Sequence, residues 1–173
     1  MLKIKHMKTK VFVYLGCILL SCWATTLPAQ QSPFSKVFYD PAGSVQGYSI
    51  AKTFDQNFMV AGQKDNRAMV MKVSPAGIVM WGKKISSFNG SYFNCVITTH
   101  DSTCLLAGVT PDTATGIRDI ACTRITASGD TLWSKKIAFG TDAYLYSVSQ
   151  TSDHGFILGG YLVQPVSRAS PCW

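Results

Sequence analysis

The sequence predicts an all-β chain built from repeated four-stranded antiparallel meanders, and three observations carry that prediction. A phrase running from Thr53 through Asp55 and Phe58 to Gly62 recurs at residues 99–108 and again at 151–160. A second phrase, from Lys72 through Gly77 and Trp81 to Ile85, recurs from Arg124 through Gly129 and Trp133 to Ile137. Around them lie short aliphatic, aromatic and β-branched runs bounded by Gly, Pro, Asn and Asp, with no sustained helical period. The steps are 46 residues from Gly62 to Gly108 and 52 from Gly108 to Gly160. A period of that size marks a stacked or radial repeat.

Residues 1–29 read as a secretory signal peptide. Lys3, Lys5, Lys8 and Lys10 form a basic start, residues 11–20 an apolar core too short for a comfortable membrane span, and Ser21, Ala24 and Ala29 a processing region. Two cleavage modes compete. Residues 27–29 before Gln30 suit ordinary signal peptidase, which needs small residues before the cut. Residues 19–22 resemble a lipobox, in which Cys22 would be acylated and tether the protein to a membrane. Export is expected in either case, to the cell envelope or the outside. The signal holds four of the 16 Lys and Arg, which leaves 12 cations against 9 acids in residues 30–173. A net charge of +3 argues against nucleic acid as a partner. All nine acids are Asp, which suits a β-rich chain whose acids sit in turns.

Residues 30–173 form the repeat region. In its first copy, residues 48–53 make a strand, 54–57 a turn and 58–62 a second strand that is apolar throughout. A polar loop at 63–67 leads to a third strand at 69–73, and the turn 74–77 to a fourth at 78–85. The second copy has the same layout with a longer loop, 110–118. The third breaks off after Gly160, so the chain ends within a repeat and the set of repeats reads as incomplete.

Four antiparallel strands in about 50 residues, repeated, is the arithmetic of a β-propeller blade, of which about two and a half are present. The paired small residues at 61–62, 107–108 and 159–160 would permit close backbone approach. Trp81 and Trp133 would fill the gap between neighbouring blades. The phrases resemble the β-propeller-type repeats of large secreted bacterial proteins that often end in a separate sorting domain. The resemblance covers about residues 34–160 and implies an architecture more than an activity. The chain departs from it at Cys104, which replaces an aromatic residue, and in having few blades and no sorting domain.

No catalytic, cofactor-binding or metal-binding residue is assigned from the sequence. Asp55, Asp101 and Asp153 recur once per copy, whereas a catalytic centre is needed once. Their expected work is to accept backbone N–H bonds in the first turn, with the Thr two residues earlier. His100, Asp101 and Ser102, like Asp153 and His154, juxtapose triad-type residues, but adjacency along a chain is not triad geometry. Cys95, Cys104, Cys122 and Cys172 occupy packing positions in the alignment of copies. A turn centred on Asp101 and Ser102 would put Cys95 and Cys104 on one face but not opposite each other, so that a disulfide would need a diagonal reach. Lys83–Lys84 and Lys135–Lys136 read as a solvated edge that discourages strand pairing.

These observations favour an exported, non-catalytic binding or scaffolding surface for a protein or glycan, with the loops 63–67 and 110–118 varying most between copies. The alternatives are a propeller-class enzyme, a hydrolase or quinoprotein-like dehydrogenase whose catalytic residues lie in further blades, or a lectin-like module that completes a ring by self-association through open blade edges.

Overall fold

The computed structural model describes residue 41 and residues 43–163, and for 87–89 the backbone alone. The signal segment, Cys22 and Cys172 lie outside the described residues. Ten strands follow one another: β1 (Val45–Lys52), β2 (Phe58–Lys64), β3 (Arg67–Val73), β4 (Val79–Asn89), β5 (Tyr92–Thr98), β6 (Cys104–Pro111), β7 (Arg118–Ile125), β8 (Thr131–Ile137), β9 (Ala143–Gln150) and β10 (Phe156–Leu162). They form two antiparallel four-stranded sheets, β1-β2-β3-β4 and β5-β6-β7-β8, and the pair β9-β10. The described residues are all-β, and each expected strand is present with its ends displaced by a few residues.

One hairpin design serves five times. Thr53 N–H donates to Asn57 O at 2.8 Å and Gln56 N–H to Thr53 O at 3.0 Å, with Gln56 at φ 64°. The same pair of bonds closes at Thr99 and Thr151, with Ser102 and His154 at φ 66° and 67°, and at Ser74 and Thr126, with Gly77 and Gly129 at φ 71° and 83°. A type I turn followed by one left-handed residue is the common three-residue hairpin loop. The opposite end of the sheets varies. Between β2 and β3, Asp65 and Asn66 (φ 50° and 57°) make a two-residue turn of type I′. Residues 112–117 make a six-residue loop between β6 and β7, closed by Asp112 N–H to Ile117 O at 2.7 Å.

The first strands of the three sheets also share an irregularity. β1 bulges between Gly47 and Ser49 and β5 between Phe93 and Cys95, while the β9–β10 register shifts opposite Tyr146. Each bulge lies beside Gly62, Gly108 or Gly160. A Cβ there would stand 1.9 Å from the Gln46 carbonyl oxygen, 2.0 Å from that of Tyr92 and 1.9 Å from that of Tyr144. No side chain fits, so the glycines permit the close approach that the sequence suggested.

The sheets stack through alternating side chains. In β6, Leu106 points back to the first sheet, where it joins Met59, Val70, Ile85, Phe93 and Val96. Leu105 and Ala107 point forward and join Ile120, Leu145 and Val148. β6 is thus buried on both faces. Contact between sheets is concentrated at their first strands: β5 lies against β1, β2 and β3, and β9 against β5, β6 and β7. Trp81 packs on the first cluster and meets Gly129 of the following hairpin, where a Cβ would come within 2.7 Å of its ring. Trp133 packs on the second cluster. β10, whose neighbour among the described strands is β9, is mostly exposed on both faces.

Gly108→Ala would force a Cβ onto the β5 backbone. The substitution is expected to cost about 3 kcal/mol, or about 10 °C in Tm, measured by thermal denaturation followed by circular dichroism. Gly82→Ala, whose new Cβ would meet nothing closer than 3.7 Å, should leave Tm nearly unchanged.

Candidate functional site

The two ends of the stacked sheets differ in kind. At the hairpin end, the Thr-x-Asp turns are built alike. The hydroxyls of Thr53, Thr99 and Thr151 donate to Asp55, Asp101 and Asp153, and the same carboxylates accept the N–H of Asn57, Thr103 and Gly155 at 3.2–3.4 Å. The three aspartates therefore do the turn work expected of them. Two also hold a cation from the third strand of their own sheet. Lys72 Nζ lies 2.5 Å from Asp55, and Arg124 reaches Asp101 at 2.5 Å and the Thr103 hydroxyl at 2.8 Å. Lys72 is buried and donates as well to the carbonyl of Ala127, in the hairpin of the following sheet, at 3.1 Å. This repeated pair escaped the sequence reading, although Lys72 and Arg124 stand at one position of the second phrase.

The hydrogen-bond partners set the acidities. Lys72 first, and then the Thr53 hydroxyl, hold the Asp55 carboxyl well below the usual carboxylate range. The Thr99 hydroxyl leads the causes that do the same for Asp101. Neither group is poised to exchange a proton near neutral pH.

His100 and His154 stack across neighbouring hairpins, ring centroids 3.7 Å apart and planes 14° from parallel, and the Gln150 side-chain carbonyl accepts the backbone N–H of His100 at 3.0 Å. They are surface turn residues, and neither forms a triad. Among the described residues no group of three His, Cys, Asp or Glu is placed to hold a metal ion.

The cysteines require a correction. β5 and β6 pair Thr98 with Cys104 and Cys95 with Ala107, so the hairpin is centred on Asp101 and the register is one residue from that expected. A one-residue shift reverses the face. Cys104 accordingly packs toward the first sheet, while Cys95 and Cys122 pack toward β9. Cys95 and Cys104 cannot bridge across the sheet, and all three described cysteines are free thiols. Burial makes all three thiols harder to deprotonate, pushing the pKa of Cys122 up to about 11. They are packing residues.

The lysine pairs do more than solvate an edge. Lys83 lies 5.6 Å from the Trp81 ring centre and pairs with Asp130 of the next sheet at 3.1 Å. Lys135 lies 5.5 Å from Trp133. Lys84 pairs with Asp65 at 2.9 Å, and Lys136 with Asp112 at 2.7 Å and the buried Asp119 at 3.1 Å. Each second lysine thus ties the outermost strand to the variable turn of its own sheet.

At the variable end the side chains change character. Tyr48 meets Tyr92 edge to face at 5.8 Å, Tyr144 and Tyr161 stack at 4.7 Å, and Tyr146 leans on Tyr161 at 5.7 Å. Tyr48 and Tyr146 stand at the bulges of β1 and β9 and are exposed, Tyr146 at 66%. Arg118 lies over the Tyr144 ring at 5.2 Å, donates to its hydroxyl, and pairs with Asp142 at 3.4 Å. Beside it opens an apolar cleft of about 240 Å³ lined by Ile120, Ile137, Phe139, Tyr144 and Leu158. The loop 112–117 adjoins this end. Exposed rings, a guanidinium and an apolar cleft can bind and orient a ligand, but they include no nucleophile–base pair. The tyrosines were visible in the sequence; only the bulge positions, which re-aim them, could have singled them out.

No protein-family model matches the chain, and no curated protein matches it.

Because folding lowers the pKa of Asp101 and of Asp55, their contribution is complete above the ordinary aspartate range and is lost as pH falls through it. Chemical denaturation should show stability falling below about pH 4, and Asp101→Asn should reduce that fall while lowering stability at pH 7. Lys72→Met should cost about 2 kcal/mol at pH 7 through two lost charge-assisted bonds.

Proposed function

We propose that this chain is an exported, non-catalytic repeat module of β-propeller type that offers a binding surface at the cell envelope or outside the cell. The observation that carries the proposal is the asymmetry of its two ends. One end repeats a single hairpin with the same Thr-Asp bonds. The other carries turns of two and six residues and the exposed tyrosines beside the cleft. Ends that differ between otherwise equal repeats are where individual copies can take on individual contacts.

The propeller reading draws support from the sheet stacking, in which first strands approach one another most closely, as they would around an axis. The export reading rests on residues 1–29 and on the resemblance to repeats of secreted bacterial proteins. A binding role is preferred to an enzymatic one because the residues that break the repeat do not converge. Cys104 and Cys95 face opposite ways, and His154 lies at the other end from the cleft.

The ligand is a protein or a glycan that lays an apolar surface on the Tyr146 and Tyr161 rings. A panel of immobilised oligosaccharides and peptides tests this. The reading expects a ligand whose affinity drops at least tenfold in Tyr146→Ala, and again when residues 112–117 are replaced by an Asp-Asn turn. Ligands that bind equally well to both variants, with unchanged circular dichroism, would place the function elsewhere.

A further inference from the structure

We infer that the chain binds a second copy of itself head to tail, the backward face of β1–β2 in one copy seating on the forward face of β9–β10 in another. The inference is independent of what the variable end binds, and it rests on comparing equivalent positions of the three copies.

On the backward side the equivalent residues are Ile50, Val96 and Val148. Val96 faces the first sheet and is 4% exposed, and Val148 faces the second and is 8% exposed, whereas Ile50 is 63% exposed. On the forward side they are Met59, Leu105 and Ile157. Met59 is 0% exposed beneath β5 and Leu105 1% beneath β9, but Ile157 is 63% exposed. Among the described sheets, the backward face of β1–β2 and the forward face of β9–β10 are thus the two halves of a contact that the molecule already makes twice.

The polar part of that contact matches too. Within the chain, Val96 N–H donates across the sheets to the Ser49 hydroxyl at 3.1 Å. Ile50 stands at the position of Val96, and Ser147, which is exposed, at that of Ser49. In the seated pair the Ile50 N–H would therefore meet the partner's hydroxyl at Ser147. The small residue Ala61 beneath the internal contact has Gly159 as its counterpart, so nothing larger fills the seat. On the incoming face, Phe58 stands where β6 has Cys104 and Gly47 where β5 has Phe93. One large ring is exchanged for another at a neighbouring point of the same face. Because β5 rests mainly on the first two strands of the sheet before it, the described strands β9 and β10 are the part of the seat that matters. Joining two different faces is heterologous association, which closes into a ring or continues as a chain.

Sedimentation velocity tests this on the full chain at micromolar concentration. The wild type should sediment above the monomer mass. Ile50→Asp, which blocks the backward face, and Ile157→Asp, which blocks the forward face, should each be monomeric with unchanged Tm. Mixed in equal amounts they should form a 1:1 dimer, because each retains the face the other has lost. Ser147→Ala should weaken association by about fivefold. A monomeric wild type, oligomers that persist in either aspartate variant, or two monomeric variants that do not pair on mixing would each overturn the inference.

Discussion

A sheet whose second strand is apolar on both faces cannot stand alone, and the rest of this structure follows from that constraint. Leu105 and Leu106 are neighbours in sequence, yet they enter different clusters on opposite sides of β6. Each needs a covering sheet, and a repeat supplies it by presenting the same pair of faces again. The close approach of β1 to β2 at Gly62, repeated at Gly108 and Gly160, sets the bulge that keeps the covering strand in register. Ion pairs and hydrogen bonds then pin one sheet to the next, as Lys72 does to Ala127 and Lys83 to Asp130.

Much of this was legible in the sequence, because the information repeats. The strands, the turns at Asp55, Asp101 and Asp153, the glycine approach and the place of Trp81 could all be read from copies that agree. What escaped was information carried by register and by contacts distant in sequence. The packing role of the cysteines was legible, but the face shared by Cys95 and Cys104 was misjudged, because a three-residue hairpin loop and a two-residue or four-residue turn look alike in sequence and differ by one residue in register. The ion pairs of Lys72, Arg124, Lys84 and Lys136 span two or more strands, and only the strand order brings their partners within reach. The tyrosine platform depends on bulges that the sequence does not announce.

The division of labour between the two ends follows from the same economy. The hairpin end spends its side chains on holding turns: threonine hydroxyls, aspartates and their cations are all engaged with one another. The variable end is left with aromatic rings and an apolar cleft beside loops of unequal length. A binding surface assembled there can change without disturbing the turns that maintain the stack.

The claim on which the account depends is that the middle sheet is stabilised by burial on both faces while the outer faces are not. Hydrogen exchange followed by mass spectrometry, at a concentration where the chain is monomeric, tests it most directly. The account predicts that amides of β6 and β7 exchange slowest, and that those of β1 and β10 exchange fastest among the strands. Protection of β10 equal to that of β6 would contradict it.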